Sequence, residues 1–91
     1  MSFDILYHEL VIKEDIPRLS PEWQGKIKRA IENRLAANPE TYGKPLRQSL
    51  KGYRKLRVGD YRIVFRIEKT AVKIFIIQHR SVVYKIMRNR I

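Results

Sequence analysis

Tyr53-Arg54-Lys55-Leu56-Arg57-Val58-Gly59-Asp60-Tyr61-Arg62-Ile63-Val64-Phe65-Arg66-Ile67 reads as two period-2 segments, Tyr53–Val58 and Tyr61–Ile67, on either side of Gly59–Asp60, with apolar and charged side chains alternating most clearly in Lys55–Val58 and Tyr61–Ile63. Such alternation is the pattern of half-buried strands. Glycine at the first central position of a two-residue loop is what a type II′ hairpin turn prefers. A third period-2 segment, Val72–Gln78, follows after Glu68–Ala71. The connections are too short for parallel crossovers, so the three segments are expected to form an antiparallel meander. A two-residue loop at Gly59–Asp60 pairs Val58 with Tyr61, Arg57 with Arg62, Leu56 with Ile63 and Lys55 with Val64. One face then carries Leu56, Val58, Tyr61, Ile63, Phe65 and Ile67, extended by Val72, Ile74 and Ile76. The other carries Tyr53, Lys55, Arg57, Arg62, Val64, Arg66 and Lys73.

The apolar wall needs a cover, and the N-terminal half supplies one. Phe3–Tyr7 reads as a short edge strand. Leu10, Val11, Ile12, Ile16 and Leu19 have rough helical spacing, which Pro17 ends or kinks near Ile16. Ser20 is placed as an N-cap, Pro21 as the first helical residue, and Glu22 faces the positive end of the dipole. Trp23, Ile27, Ala30, Ile31 and Leu35 form one amphipathic stripe, and Asn38–Pro39 stops it. The expected architecture is α+β: one domain over residues 1–91, with an N-terminal helical hairpin packed on a small antiparallel sheet and a short C-terminal helix.

The chain has 91 residues, of which 44% are hydrophobic and nine are aromatic, enough for one core. It has no cysteine, which excludes disulfides, thiolate metal sites and cysteine nucleophiles. The longest purely apolar run is Ile74–Ile77, far short of a membrane span. The start, MSFDILYHEL, carries acids where a signal peptide needs a basic stretch, and the chain reads as cytoplasmic. The formal charge of +11 is lopsided: residues 1–42 sum to −1 and residues 43–91 to +12. A charge gathered in one half marks a binding side, with polyanions the first suspects and an acidic protein partner the second.

Arg57 opposite Arg62 sharpens this. Like charges directly across an antiparallel ladder destabilise it by roughly 0.2–1 kcal/mol. Long side chains splaying into solvent would be the bland account. Five Lys/Arg share this face with no acid among them, which favours a surface that grips phosphate. Beyond the last strand, Arg80 and Tyr84 are four apart, so a helical turn from about Ser81 brings them to one side. His79 continues the alternation onto the basic face, as a structural, solvated or acid–base group.

Many chemistries lack their residues here. The basic half has only Asp60 and Glu68 as acids, both in turns, so a two-metal nuclease has no ligand cluster. His8 is remote from His79 in sequence, and no glycine-rich phosphate loop or zinc spacing occurs. RNA cleavage by the substrate's own 2′-OH remains open. It asks the protein only to position the strand, stabilise the phosphorane and move protons, and it calls for no metal or cofactor.

The whole chain resembles the RelE/ParE superfamily of toxins from type II toxin–antitoxin systems. The likeness rests on the short strand, the helical hairpin, the stretch Leu50–Phe65 with Arg57 and Tyr61-Arg62, and the close His79-Arg80-Ser81-Val82-Val83-Tyr84. The resemblance implies a sheet cradling N-terminal helices and a basic concave surface behind it. It further implies a metal-independent, ribosome-dependent endoribonuclease acting on mRNA, and a RelB-like antitoxin partner. By motif, Lys55 takes the place of the catalytic lysine, Arg62 of the phosphate-stabilising arginine, Arg80 of a second functional arginine and Tyr84 of the substrate-orienting tyrosine. Tyr53 stands near where relatives carry a second lysine, and His79 is placed to take that lysine's acid–base share. Tyr53, Arg54, Arg57, Arg66 and Lys73 are expected to contact RNA.

Two other readings use the same residues. A ParE-like inhibitor of DNA gyrase shares the fold without cutting RNA. A non-enzymatic nucleic-acid binder would use the same face with steep salt dependence and no cut product.

Overall fold

The computed structural model describes residues 2–47 and 50–91. Its elements are β1 (Asp4–Tyr7), α1 (Pro21–Ala30), α2 (Pro39–Tyr42), β2 (Lys44–Pro45), β3 (Tyr53–Val58), β4 (Tyr61–Glu68), β5 (Ala71–His79) and α3 (Val83–Arg90). They build a five-stranded sheet in the order β1-β5-β4-β3-β2, with the helices distributed over its two faces. The fold is α+β, as expected.

The central hairpin has the register read from the sequence: Val58 pairs with Tyr61, Arg57 with Arg62, Leu56 with Ile63 and Lys55 with Val64. Gly59 turns at φ +58 while Asp60 has no positive φ, the combination of a type II′ turn. Glycine is needed there twice over, since a Cβ would sit 2.5 Å from Cη2 of Trp23.

Two expectations about the sheet need correction. It is mixed, because β1 runs parallel to β5, with Asp4 opposite Ala71 and Tyr7 opposite Ile74. Local spacing could not place β1, whose partner lies at the far end of the chain. The second correction is a bulge in β5. Val64 faces Ile76 but Phe65 faces Ile74, which leaves Phe75 as the extra residue. One inserted residue reverses the alternation beyond it. Ile76, expected on the helix-covered face, lies on the other; Ile77 takes its place in the main core.

The hairpin that covers the main face has a short first arm. Glu9 and Leu10 lead into a single π-helical turn, Val11–Asp15, closed by Ile16 N–H donating to Val11 O at 2.9 Å just before Pro17. Gln24 Nε2 ties the corner, donating to Ile16 O and Leu19 O. The second arm starts as read: Trp23 N–H donates to Ser20 Oγ at 3.3 Å and Pro21 opens α1. A second π-helical turn, Ile31–Leu35, extends α1 and keeps its stripe on the sheet. Ile27, Ile31 and Leu35 are buried against Leu56, Ile63, Phe65, Val72, Ile74 and Ile77. Each such side chain contributes about 1.5–3 kcal/mol by leaving water. Trp23 packs on Tyr61 at a ring separation of 4.8 Å. Pro39 does not merely stop the helix; it opens the one-turn α2.

On the opposite face, α3 lays Val83 and Met87 over Val64 and Ile76 to form a second, smaller core. The basic face is therefore divided by a helix at its centre.

Candidate nucleic-acid interface

Strand alternation puts Lys55 and Arg57 of β3 on the α3 side of the sheet, and cross-strand pairing sets Arg62 of β4 beside Arg57. Burial of Val83 and Met87 fixes the rotation of α3, so the neighbouring Tyr84 stands out at the helix flank, half exposed. There Lys55 Nζ donates to Tyr84 Oη at 2.9 Å. Residues distant in sequence thus form one polar pair.

Beside this pair is a cleft of about 400 Å³ lined by Tyr42, Lys44, Lys55, Leu56, Arg57 and Arg62. No acid lines it. Lys44, on β2, lies directly opposite Lys55. Two like-charge cross-strand pairs therefore adjoin in one cleft, each costing the sheet roughly 0.2–1 kcal/mol. The arrangement concentrates cationic donors where a phosphodiester's charge would be matched.

Arg62 is held at the turn, its Nη1 donating to Gly59 O at 2.9 Å and Tyr61 O at 3.0 Å. Among the described residues, no side-chain hydrogen bond or ion pair engages Arg57. Arg80 lies near the same turn, its backbone N–H on Asp60 O and its Nε 3.6 Å from Asp60 Oδ1. That ion pair is well exposed and holds Arg80 only loosely.

Other residues read from the sequence are placed elsewhere. His79 pairs with Tyr61, not with the basic row, because the bulge at Phe75 has shifted its side. Its ring meets Tyr61 edge-on at 5.7 Å, and its Nδ1 accepts from Ser81 N–H. Arg54 lies on the face opposite Lys55, where its Nη1 donates to Gly43 O at 3.1 Å and more loosely to Glu40 O, closing the end of α2. Tyr53, Arg66 and Lys73 share the basic side but form a second cluster. Arg66 lies over the Tyr53 ring at 5.4 Å and Lys73 over the Phe75 ring at 5.3 Å, while Tyr53 and Phe75 meet edge-on. Arg66 is directly opposite Lys73, a further like-charge pair.

The sequence reading missed Tyr42, Lys44 and Phe75. Lys44 sits in a two-residue strand with no periodicity to detect, and Phe75 joins the site side only through the bulge. Away from the cleft, the phenol of Tyr7 is pushed above its usual range by burial and, secondarily, by the charge of Glu32.

A family model for the ParE toxin of type II toxin–antitoxin systems (parDE) matches residues 6–84. The chain belongs to the RelE/ParE superfamily of type II toxins. Toxin RelE of Mycobacterium tuberculosis is 34% identical to it over 90 residues, covering 93% of each chain. Toxin RelG of the same organism is 33% identical over 75 residues, covering 80% of this chain and 86% of its own. Among solved structures, a chain of the toxin–antitoxin complex RelBE2 from M. tuberculosis superposes with a TM-score of 0.82 at 28% identity, over 89% of this toxin and 94% of that chain. A chain of the RelB–RelE complex from Methanococcus jannaschii has the same fold, with a TM-score of 0.69 at 20% identity, over 89% and 96%. Among the described residues, no helix of the toxin is long and apolar enough to cross a membrane.

Proposed function

We propose that this toxin is a ribosome-dependent endoribonuclease that cleaves mRNA by attack of a 2′-OH on the adjacent phosphate. The observation that carries this reading is the Lys55–Tyr84 hydrogen bond beside the opposed Arg57 and Arg62 in an acid-free cleft. In the reaction the 2′-oxygen bonds to phosphorus and the bond from phosphorus to the 5′-oxygen breaks. The 2′-OH gives up its proton and the departing 5′-oxygen takes one. The products are a 2′,3′-cyclic phosphate and a 5′-hydroxyl. Lys55 and Tyr84 are the pair through which those protons pass. Arg57 and Arg62 neutralise the charge that develops on the phosphorane, the kind of pre-set electrostatic help that matters most in such steps. Arg80, held to Asp60 only by an exposed contact, is the residue able to swing toward the leaving oxygen.

The groups are sparse for an enzyme acting alone, which fits a toxin that relies on the ribosome to hold its substrate in line. Work at the ribosome places the toxin in the cytoplasm. A RelB-like antitoxin is the expected inhibitory partner. The relatives solved as toxin–antitoxin complexes support that, and so does a face of this charge, which needs an acidic segment to mask it.

The test is primer extension on a defined message in programmed ribosomes, comparing wild type with Arg57→Ala. Arg57 is exposed and makes no polar side-chain contact among the described residues, so its loss leaves the fold alone. Wild type is expected to cut at discrete A-site positions with chelator present, and Arg57→Ala to cut on the order of a hundredfold more slowly, as for one lost transition-state donor. A message left intact by folded, toxic wild-type protein overturns the reading. The match to the ParE family model favours gyrase inhibition as the second reading. Gyrase-dependent DNA breaks alongside uncut mRNA would establish it.

A further inference from the structure

We propose that Asp15 and Arg90, remote from the cleft, are positioning residues that hold Tyr84 against Lys55; this rests on the ribonuclease reading above. Asp15 is buried, with 1% of its surface exposed, and its carboxylate is surrounded by donors. Oδ2 accepts from Arg90 Nη1 at 2.7 Å and from Ile77 N–H at 2.9 Å. Oδ1 accepts from Gln78 Nε2 at 2.7 Å and from Arg90 Nη2 at 3.2 Å. Arg90 Nη1 also donates to Phe75 O at 3.1 Å, and Glu14 lies 3.6 Å from Nη2.

The location explains why a carboxylate is there. β1 covers the outer edge of β5 only as far as Ile74, where His8 N–H makes the last bond. β1 ends at Tyr7, and β5 runs on through the bulge at Phe75 with its outer edge no longer covered by that strand. Asp15 takes over as the acceptor for the Ile77 N–H that a strand would otherwise have met. Arg90, the last residue of α3, comes round the same edge and closes on Asp15 and on the bulged Phe75 carbonyl. One carboxylate thus joins the N-terminal turn, the irregular strand and the C-terminal helix.

α3 has eight residues, too few to be stable as an isolated helix, and no side chain caps its N-terminus. Its placement must come from what it touches. Val83 and Met87 supply apolar contact that fixes which side faces the sheet. Apolar contact alone is non-directional and leaves the helix able to slide along its axis. The paired, directional bonds of Arg90 to Asp15 fix that remaining freedom, and with it the reach of Tyr84 Oη to Lys55 Nζ.

The experiment is a double-mutant cycle on ribosome-dependent mRNA cleavage by the full-length toxin. It compares wild type, Arg90→Met, Tyr84→Ala and the double variant, with thermal melts of all four. Arg90→Met is expected to slow single-turnover cleavage about tenfold, as for a modest misplacement of a reacting group, with half-saturating toxin concentration within about twofold. In the Tyr84→Ala background it is expected to add nothing to the rate loss, although it still lowers the melting temperature. A merely structural role predicts the opposite, an equal loss in both backgrounds. That result, or a rate indifferent to Arg90→Met, overturns the proposal. If Arg90→Met does not fold, Asp15→Asn combined with Arg90→Gln, which leaves no buried charge unpaired, replaces it under the same criteria. Uncut message with wild type sinks the ribonuclease reading and this inference with it. Cleavage by wild type that ignores Arg90 sinks this inference alone.

Discussion

Arg57 pairs with Arg62 across the ladder, and Lys44 with Lys55 beside them, although an acid or a threonine at either place would have made a better sheet. Stability and anion binding pull against each other at these positions. Replacing Arg57 with Thr removes one like-charge contact and adds a β-branched side chain suited to a strand. Arg57→Thr is therefore expected to raise the urea midpoint, by a stability gain of about 0.2–1 kcal/mol, while it slows mRNA cleavage. A midpoint that falls would show that these long side chains support the strand and do not strain it. His79 and Arg54 carry the complementary lesson. Each is the right residue type for the chemistry, yet each has partners that explain it structurally: the Ser81 N–H for one and the end of α2 for the other.

β5 decides more than any other element. Its bulge sends Ile76 under α3 and brings Phe75 to the second basic cluster, and its edge beyond the end of β1 is the one that Asp15 fills. The turn leading into it, between Glu68 and Ala71, is strained: Lys69 holds φ +57 without being glycine. A side chain in that region costs energy that glycine avoids, against the extra freedom glycine has when unfolded. Lys69→Gly is expected to stabilise the toxin by about 1 kcal/mol, read as a higher urea midpoint at unchanged m-value. No gain would mean that the Lys69 side chain contributes contacts worth as much as the strain.

Over the whole molecule, the strand cations on the α3 side fall into two clusters, Lys55, Arg57 and Arg62 with Tyr84, and Arg66 and Lys73 with Tyr53 and Phe75. α3 packs on Val64 between them and carries Lys85 and Arg88, both exposed. In the proposed function the first cluster does chemistry and the second holds a neighbouring stretch of RNA backbone, with Tyr53 and Phe75 as aromatic support. Arg66→Gln and Lys73→Gln are each expected to weaken RNA or ribosome binding and to lower the slope of log K against log salt by about 1. Cleavage at saturating toxin should stay near wild type. A saturated rate that collapses in either variant would move that residue into the reacting group's surroundings.

The amino-acid sequence determined what depends on neighbours along the chain. The II′ turn at Gly59–Asp60, the register that opposes Arg57 and Arg62, the Ser20 cap and the Trp23–Leu35 stripe are all set by local spacing and turn chemistry. The charge asymmetry and the likeness to RelE/ParE toxins were legible in the same way. Tertiary structure alone decided the rest. β1 finds its parallel partner across the length of the chain, and nothing local encodes that pairing. A bulge has no signature in an apolar run such as Ile74-Phe75-Ile76-Ile77, where shifting the register by one residue keeps every position apolar; only packing on both faces selects it. The Lys55–Tyr84 contact and the Asp15–Arg90 pair follow from where that packing leaves α3. The sequence therefore set the opposed cations of β3 and β4, and tertiary packing decided which other residues, Lys44 and Tyr84 among them, meet them.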